Sequence, residues 1–324
     1  KGVDQAVEHV RGEIAQALRG CDVTDQQEID RRMIELDGSP NKSRLGANAI
    51  LSVSLAAADA AARLQGIPLF KSLGDGQGTT LPMPQIQIIG GGAHANWATD
   101  IQDFLIIPLG ARSFSQALQM AFAVYHCAGD LLKERGAYYG LADEGGYWPT
   151  FGTNAAALDF LVEAIEASGY VPGDEIAIAL DVAASDLYDA ETKTYCLKLD
   201  GRLMATDEML ELMSRWRRDY PIVSIEDPLA DVDWQGWKSF SEREGQHVQI
   251  VGDDLFTTNL TRIGQGVDRN AANSVLIKLN QIGTVTETVA AIRFVQAAGW
   301  LPIVSARSGE TEDAFISHLA VATD

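Results

Sequence analysis

The runs IAIALD (176–181), IVSIED (222–227), VQIVGDD (248–254), SVLIKLN (274–280) and PIVSAR (302–307) decide the fold. Each is a short apolar segment that closes on a polar or charged side chain, and amphipathic stretches separate them, the alternation expected of parallel β/α units. The separation leaves room for one strand and one helix per step, which predicts an α/β protein built as a (β/α) barrel. A doubly wound open sheet is the rival. No G-x-G-x-x-G follows any of the strands and no G-x-x-x-x-G-K-[ST] occurs, so the nucleotide-binding versions of that rival lack support.

Working outward, 85–89 and 104–107 read as two earlier strands, for seven in all. Residues 3–18, 26–36 and 48–64 carry apolar residues at helical spacing, and the turn-rich LDGSPNKSRLG (36–46) separates the last two. GDGQGTT (74–80) reads as a linker. The expected domains are therefore a helical 1–80 and a barrel over 81–324.

At 324 residues and 46% hydrophobic content the chain can bury a large core. Forty-five acidic against 25 basic residues give a net charge of −20, which repels nucleic acid and anionic membranes, so neither is an expected partner. Cys21, Cys127 and Cys196 are widely spaced and form no Cys-x-x-Cys pair, which suggests free thiols in a reducing compartment. With no apolar run of membrane-spanning length and no leader pattern, the cytoplasm is the expected location.

In a barrel the carboxyl ends of the strands converge on the open face, so the polar strand ends form the candidate site. They are Asp181, Glu226 with Asp227, Asp253 with Asp254, Lys278, and Arg307 with Ser308. Carboxylates from three successive strands, without His or Cys, suit a hard cation such as Mg²⁺; a lone strand-end Asp would equally suit a helix N-cap. Lys278 ends an apolar run, where it either pairs with those carboxylates or acts as a base. A helix expected to begin near Glu310 would let Arg307, Ser308 and free backbone N–H groups meet a phosphate, unless Ser308 is only its cap. GGGAH (90–94), IQDF (101–104) and ADEGG (142–146) place His94, Gln102, Asp103 and Glu144 beside glycines, and His94 alone would read as a loop histidine. His126 and His318 lie on apolar helices and read as structural.

LDGSPNKSRLGANAILSVSLA, DEGG, ALDVAASD, YPIVSIEDPL, VGDDLF, IKLNQIGT and SGETED, in this order, resemble enolase, the phosphopyruvate hydratase family. The resemblance covers essentially the whole chain. It implies a small N-terminal α+β domain, an enolase-type (β/α)8 barrel with an irregular start, and a homodimer or higher homo-oligomer. Segments at both ends of the family pattern, including a last barrel strand, have no counterpart here, so the chain is expected to be cut at both ends. By position, Asp181, Glu226 and Asp253 match the family's Mg²⁺ ligands, Lys278 its C2-proton base and Glu144 the acid that helps the C3 hydroxyl leave. His94, Gln102 and Asp103 match substrate-site residues, and Arg307 and Ser308 the phosphate side.

Four positions depart from the family pattern: Ala306 stands for His, Asp103 for Glu, and Gln87 and Gly90 for two Asn. Asp103 retracts its carboxylate by about one C–C bond, roughly 1.5 Å. The base and the metal carboxylates match, while the departures fall where the family holds the phosphate and the leaving hydroxyl. The expected function is thus an enolase-type lyase acting on a small anionic, phosphorylated or phosphonylated 2-phosphoglycerate-like substrate, as carboxyphosphonoenolpyruvate synthases do. A glycolytic enolase and a non-catalytic relative are the alternatives.

Overall fold

The computed structural model describes residues 2–74, 76 and 78–324, so Asp75 and Gln77 of the expected linker lie outside the described residues. The chain divides into two compact units. One comprises Lys1–Pro82, Phe256–Gly264 and Val275–Asp324; the other comprises Met83–Leu255 and Gln265–Ser274.

The second unit carries five strands of one sheet, β1 (Ile86–Gly90), β2 (Asp103–Ile107), β3 (Ala177–Asp181), β7 (Ile222–Glu226) and β8 (Gln249–Gly252), side by side in that order. The chain segment that links β3 to β7 forms a separate three-stranded antiparallel sheet of β4 (Tyr188–Asp189), β5 (Thr194–Leu197) and β6 (Arg202–Met204). β3, β7 and β8 pair in parallel, as alternating β/α units require. β1 and β2 pair antiparallel, and so do β2 and β3, so the sheet starts irregularly. Every residue of β3 is buried, which explains its unbroken apolar run: in a barrel one strand face lies under the helices and the other fills the interior, so no polar face is left to alternate.

Register is what sets the site. Asp103 pairs with Asp181 across β2 and β3, and Asp181 with Glu226 across β3 and β7, so three carboxylate residues form one rung. Connecting helices are anchored by side-chain caps: Ser113 accepts from the Gln116 N–H at the start of Phe114–Glu134, Thr153 from Ala156 before Asn154–Ala167, and Asp233 from Gly236 before Trp234–Glu244.

In the first unit, helices Gln26–Asp37 and Ala47–Gln65 pack through Ile29, Met33, Ala49 and Ile50. Small residues keep the second helix close to its neighbours. Its Ser54 hydroxyl accepts from the Val285 N–H at 2.9 Å, and the Asp30 carboxylate accepts from the Thr286 N–H at 3.0 Å, at the start of helix Val285–Ala297. Lys42, 5% exposed, places its Nζ 3.0 Å from Glu287 of that helix. The helix expected over 3–18 is divided into Asp4–His9, a π-turn Val10–Ile14 and Ala15–Ala17, with helix-weakening Gly12 in the π-turn.

Strand β9 (Ser274–Ile277) ends just before Lys278, and β10 (Leu301–Val304) follows beside it, the Ser305 N–H donating to the Ile277 carbonyl at 3.0 Å. The helix expected near Glu310 starts only at Phe315 and runs to Ala322. Residues 310–314 offer no apolar face to bury before Phe315. Ser308 is therefore not its cap, and no helix N-terminus stands at Arg307; instead the Glu310 N–H donates to the Arg307 carbonyl, closing a turn.

Candidate active site

Within the second unit, the carboxylates form two groups that share Asp227. One oxygen each from Asp181, Glu226 and Asp227 lie within 4.8 Å of one another, and so do oxygens from Asp227, Asp253 and Asp254. Asp181 is fixed from two sides: one oxygen accepts from Gln102 Nε2 at 2.8 Å, the other from the Ala183 N–H at 2.9 Å. Asp227 sits at a positive φ of 40°, its N–H donating to the Val251 carbonyl at 3.0 Å. Its two carboxylate oxygens accept from the N–H groups of Asp253 (3.1 Å) and Asp254 (2.8 Å), so it clamps the end of β8 that carries Asp253. Burial, reinforced by the negative neighbours Asp181, Asp253 and Asp254, pushes the Asp227 carboxyl well above the usual carboxylate range. A donor set made only of carboxylate oxygens, crowded until one resists ionisation, fits a hard divalent cation.

A second cluster in the same unit joins His94, Asp103 and Glu144, each with a ligand-type atom within 4.8 Å of the others. His94 lies on the 3₁₀ turn Gly92–Ala95, with Nδ1 3.7 Å from a Glu144 oxygen. Asp103 is buried and accepts a hydrogen bond from Gln87 Nε2, while Gln87 Oε1 accepts from the Gly146 N–H at 2.6 Å. The loop bearing Glu144 is closed by the Ala142 N–H donating to the Gly146 carbonyl at 2.8 Å and by the Tyr125 hydroxyl donating to the Gly145 carbonyl at 2.8 Å. An imidazole and two carboxylates together can hold and move protons.

In the first unit, Lys278 is half-buried at the end of β9, and its N–H donates to Thr258 Oγ1 at 2.9 Å. That hydroxyl donates onward to Gln281 Oε1 at 2.7 Å. The segment Ser305 to Ser308 leaves the neighbouring strand end, with Arg307 exposed and Ser308 half-buried. Position 306 carries only a methyl group there. His126 packs on Phe122, ring centroids 4.1 Å apart, and His318 stacks on Phe70, as structural histidines do.

The sequence motifs, the strand order and these strand-end side chains meet in one comparison. A family model described as "Enolase, N-terminal domain" matches residues 1–73, and one described as "Enolase, C-terminal TIM barrel domain" matches residues 78–324. The chain belongs to the enolase family. A relative, Enolase 1 of Desulfitobacterium hafniense (strain Y51), is 50% identical over 325 residues, which take in all of this chain and 74% of the relative. The fold is thus the enolase type, and the activity class is that of a carbon–oxygen hydro-lyase. Enolase-family membership implies a divalent metal, and the two acidic groups around Asp227 are compatible with one. Among the described residues, no helix is long and apolar enough to cross a membrane.

Sequence reasoning noted Asp227 and Gln87 without giving either a role. The doublet Glu226–Asp227 was the available signal for the first, because two successive acids crowd a single strand end. Gln87 gave no such signal, because its partners become evident only once β1 and β2 are in register.

Proposed function

We propose that this enolase-family protein is a Mg²⁺-dependent lyase that takes the C2 proton and the C3 hydroxyl from a 2-phosphoglycerate-like acid, leaving an enolpyruvate. The observation that carries the reading is the Asp103–Asp181–Glu226 rung, flanked by Asp253 on one side and by His94 with Glu144 on the other. Asp181, Glu226 and Asp253 are assigned to hold the cation. When bound, that ion supplies positive charge to a substrate carboxylate, whose neighbouring C–H is otherwise too weak an acid to lose its proton. Gln102 orients Asp181 and faces the substrate.

Lys278 is assigned as the base by its place in IKLNQIGT, and its backbone is pinned by Thr258. Glu144 is assigned as the acid that protonates the departing hydroxyl, with His94 and Asp103 completing that end. Arg307 and Ser308 are assigned to the phosphorus group. Ala306 beside them favours a substrate enlarged at phosphorus, such as the carboxylated phosphonate taken by carboxyphosphonoenolpyruvate synthases. A second reading, glycolytic turnover of 2-phosphoglycerate itself, draws support from the 50% identity to a protein named Enolase 1.

The test follows the ultraviolet absorbance of an enolpyruvate with Mg²⁺ and 2-phosphoglycerate, using Lys278→Ala as control. Slow turnover with Lys278-dependent exchange of the C2 proton into deuterated water is the result expected for an enlarged substrate. Rapid Lys278-dependent turnover would favour the glycolytic reading, and the absence of both turnover and exchange would overturn the proposal in favour of a non-catalytic relative.

A further inference from the structure

We infer that Gln87 is a positioning residue that ties the Asp103 carboxylate and the Glu144-bearing loop into one unit, and that its length is matched to that of Asp103. The inference rests on the reading of the His94–Asp103–Glu144 cluster as the leaving-group end of the site.

The first observation is that one buried amide has two different partners. Gln87 is 8% exposed and Asp103 3%. Gln87 Nε2 donates to Asp103 Oδ1 on β2, and Gln87 Oε1 accepts from the Gly146 N–H at 2.6 Å on the 142–146 loop. Only one orientation of the amide serves both, because the carboxylate needs a donor and the N–H needs an acceptor. In such a setting the loss of one bond leaves a buried polar group without its partner.

The second observation is how the chain makes room for this amide. The β1–β2 register shifts between Gln87 and Ile89, which puts Gln87 opposite Leu105 and Gly90 opposite Asp103. Leu105 and Asp103 share a face of β2, so Gln87 reaches Asp103 along the diagonal, a span suited to a long side chain. Glycines line the passage: a Cβ at Gly146 would lie 2.5 Å from Gln87 Oε1, and one at Gly90 would collide with the Ala142 Cβ.

The third is length. Asp103 is short for a carboxylate that must meet His94 and Glu144, and the bridging side chain beside it is the longer of the two amides. Asparagine at 87 would retract the amide by about 1.5 Å, and glutamate at 103 would advance the carboxylate by about the same distance. The two side chains therefore set one combined reach between β1 and β2. Either change alone breaks or crowds the bridge, while the reciprocal pair restores it.

The experiment compares the protein with Gln87→Asn, Asp103→Glu and the double variant, with two readouts. One is hydrogen exchange of the Gly146 amide, which needs no substrate. The other is the kcat and KM of the Lys278-dependent reaction, either turnover or C2 exchange. Each single variant is expected to expose the Gly146 amide and to lower kcat by about 10- to 100-fold with KM little changed. The double variant is expected to regain the protection and at least about tenfold of the rate. Unchanged Gly146 exchange in Gln87→Asn would overturn the inference, and so would a double variant no better than its worse parent. Protection lost and regained in a protein that never acts on 2-phosphoglycerate or exchanges its proton would leave the bridge standing and remove the functional reading instead.

Discussion

At the end of β7 the backbone passes through a left-handed φ at Asp227, a conformation that costs a non-glycine residue on the order of 1–3 kcal/mol unless its surroundings impose it. Here the residue's own N–H and both carboxylate oxygens are engaged with the end of β8, so the turn and the placement of Asp253 are one feature. Asp227→Ala removes the acceptor of the buried Asp253 N–H and is expected to cost about 1–3 kcal/mol. Asp227→Asn keeps one acceptor oxygen and should fall between. Urea midpoints check this, and an unchanged midpoint for Asp227→Ala would remove the clamp. Asp181, Glu226 and Asp253 were legible from sequence because each closes an apolar strand. Gln87 was not, because its partners sit 16 and 59 residues away and depend on one bulge.

Two elements are held by contacts that substitution can test. The turn after helix Gln26–Asp37 is closed by Asp37, 4% exposed, whose carboxylate accepts from the N–H groups of Ser39 (3.0 Å) and Leu45 (2.7 Å) and from the Ser39 hydroxyl. Burial pushes this carboxyl up, but those hydrogen bonds outweigh it and hold it below the usual range. A depressed folded-state value means stability that is fully present above the unfolded value of about 3.9 and is lost as pH falls through the folded one. Asp37→Ala should therefore cost about 1–3 kcal/mol at neutral pH, and its gap from the parent protein should narrow in acid below about pH 4, as read by unfolding at stepped pH. A gap independent of pH would show that the carboxylate charge plays no part. On the other unit, Gly90→Ala should cost about 1–3 kcal/mol through the clash with Ala142, and adding Ala142→Gly should recover most of it, because the two sites share one contact. Elements marked by an unbroken apolar run were legible, the five later strands above all. The small β4–β6 sheet was not, since three short strands around polar turns leave little alternation to read. The helix expected near Glu310 forms only where Phe315, Leu319 and Ala322 give it a face to bury.

Across the whole chain, the first compact unit is assembled from three separate stretches of sequence. Hydrogen bonds from helix Val285–Ala297 to Asp30 and Ser54 supply part of that assembly, and such distant pairings cannot be read from local spacing. The net charge of −20 acts on every scale at once, because it opposes compaction and repels the anionic substrate proposed here. A divalent cation held by Asp181, Glu226 and Asp253, as proposed, would counter both effects locally. Thermal unfolding should therefore rise with added MgCl₂ and level off, stabilisation reaching about 2.7 kcal/mol when the ion stands at a hundred times its dissociation constant. NaCl at matched ionic strength screens the general repulsion without filling a site, so its effect should be smaller and should not saturate in the same range. Asp253→Asn removes one ligand charge but leaves the N–H that Asp227 holds, so the fold should persist while the MgCl₂ midpoint moves up by at least about tenfold, about 1.4 kcal/mol of binding. If Asp253→Asn instead keeps the full saturable rise, Asp253 is not a ligand and the cation is held by other groups.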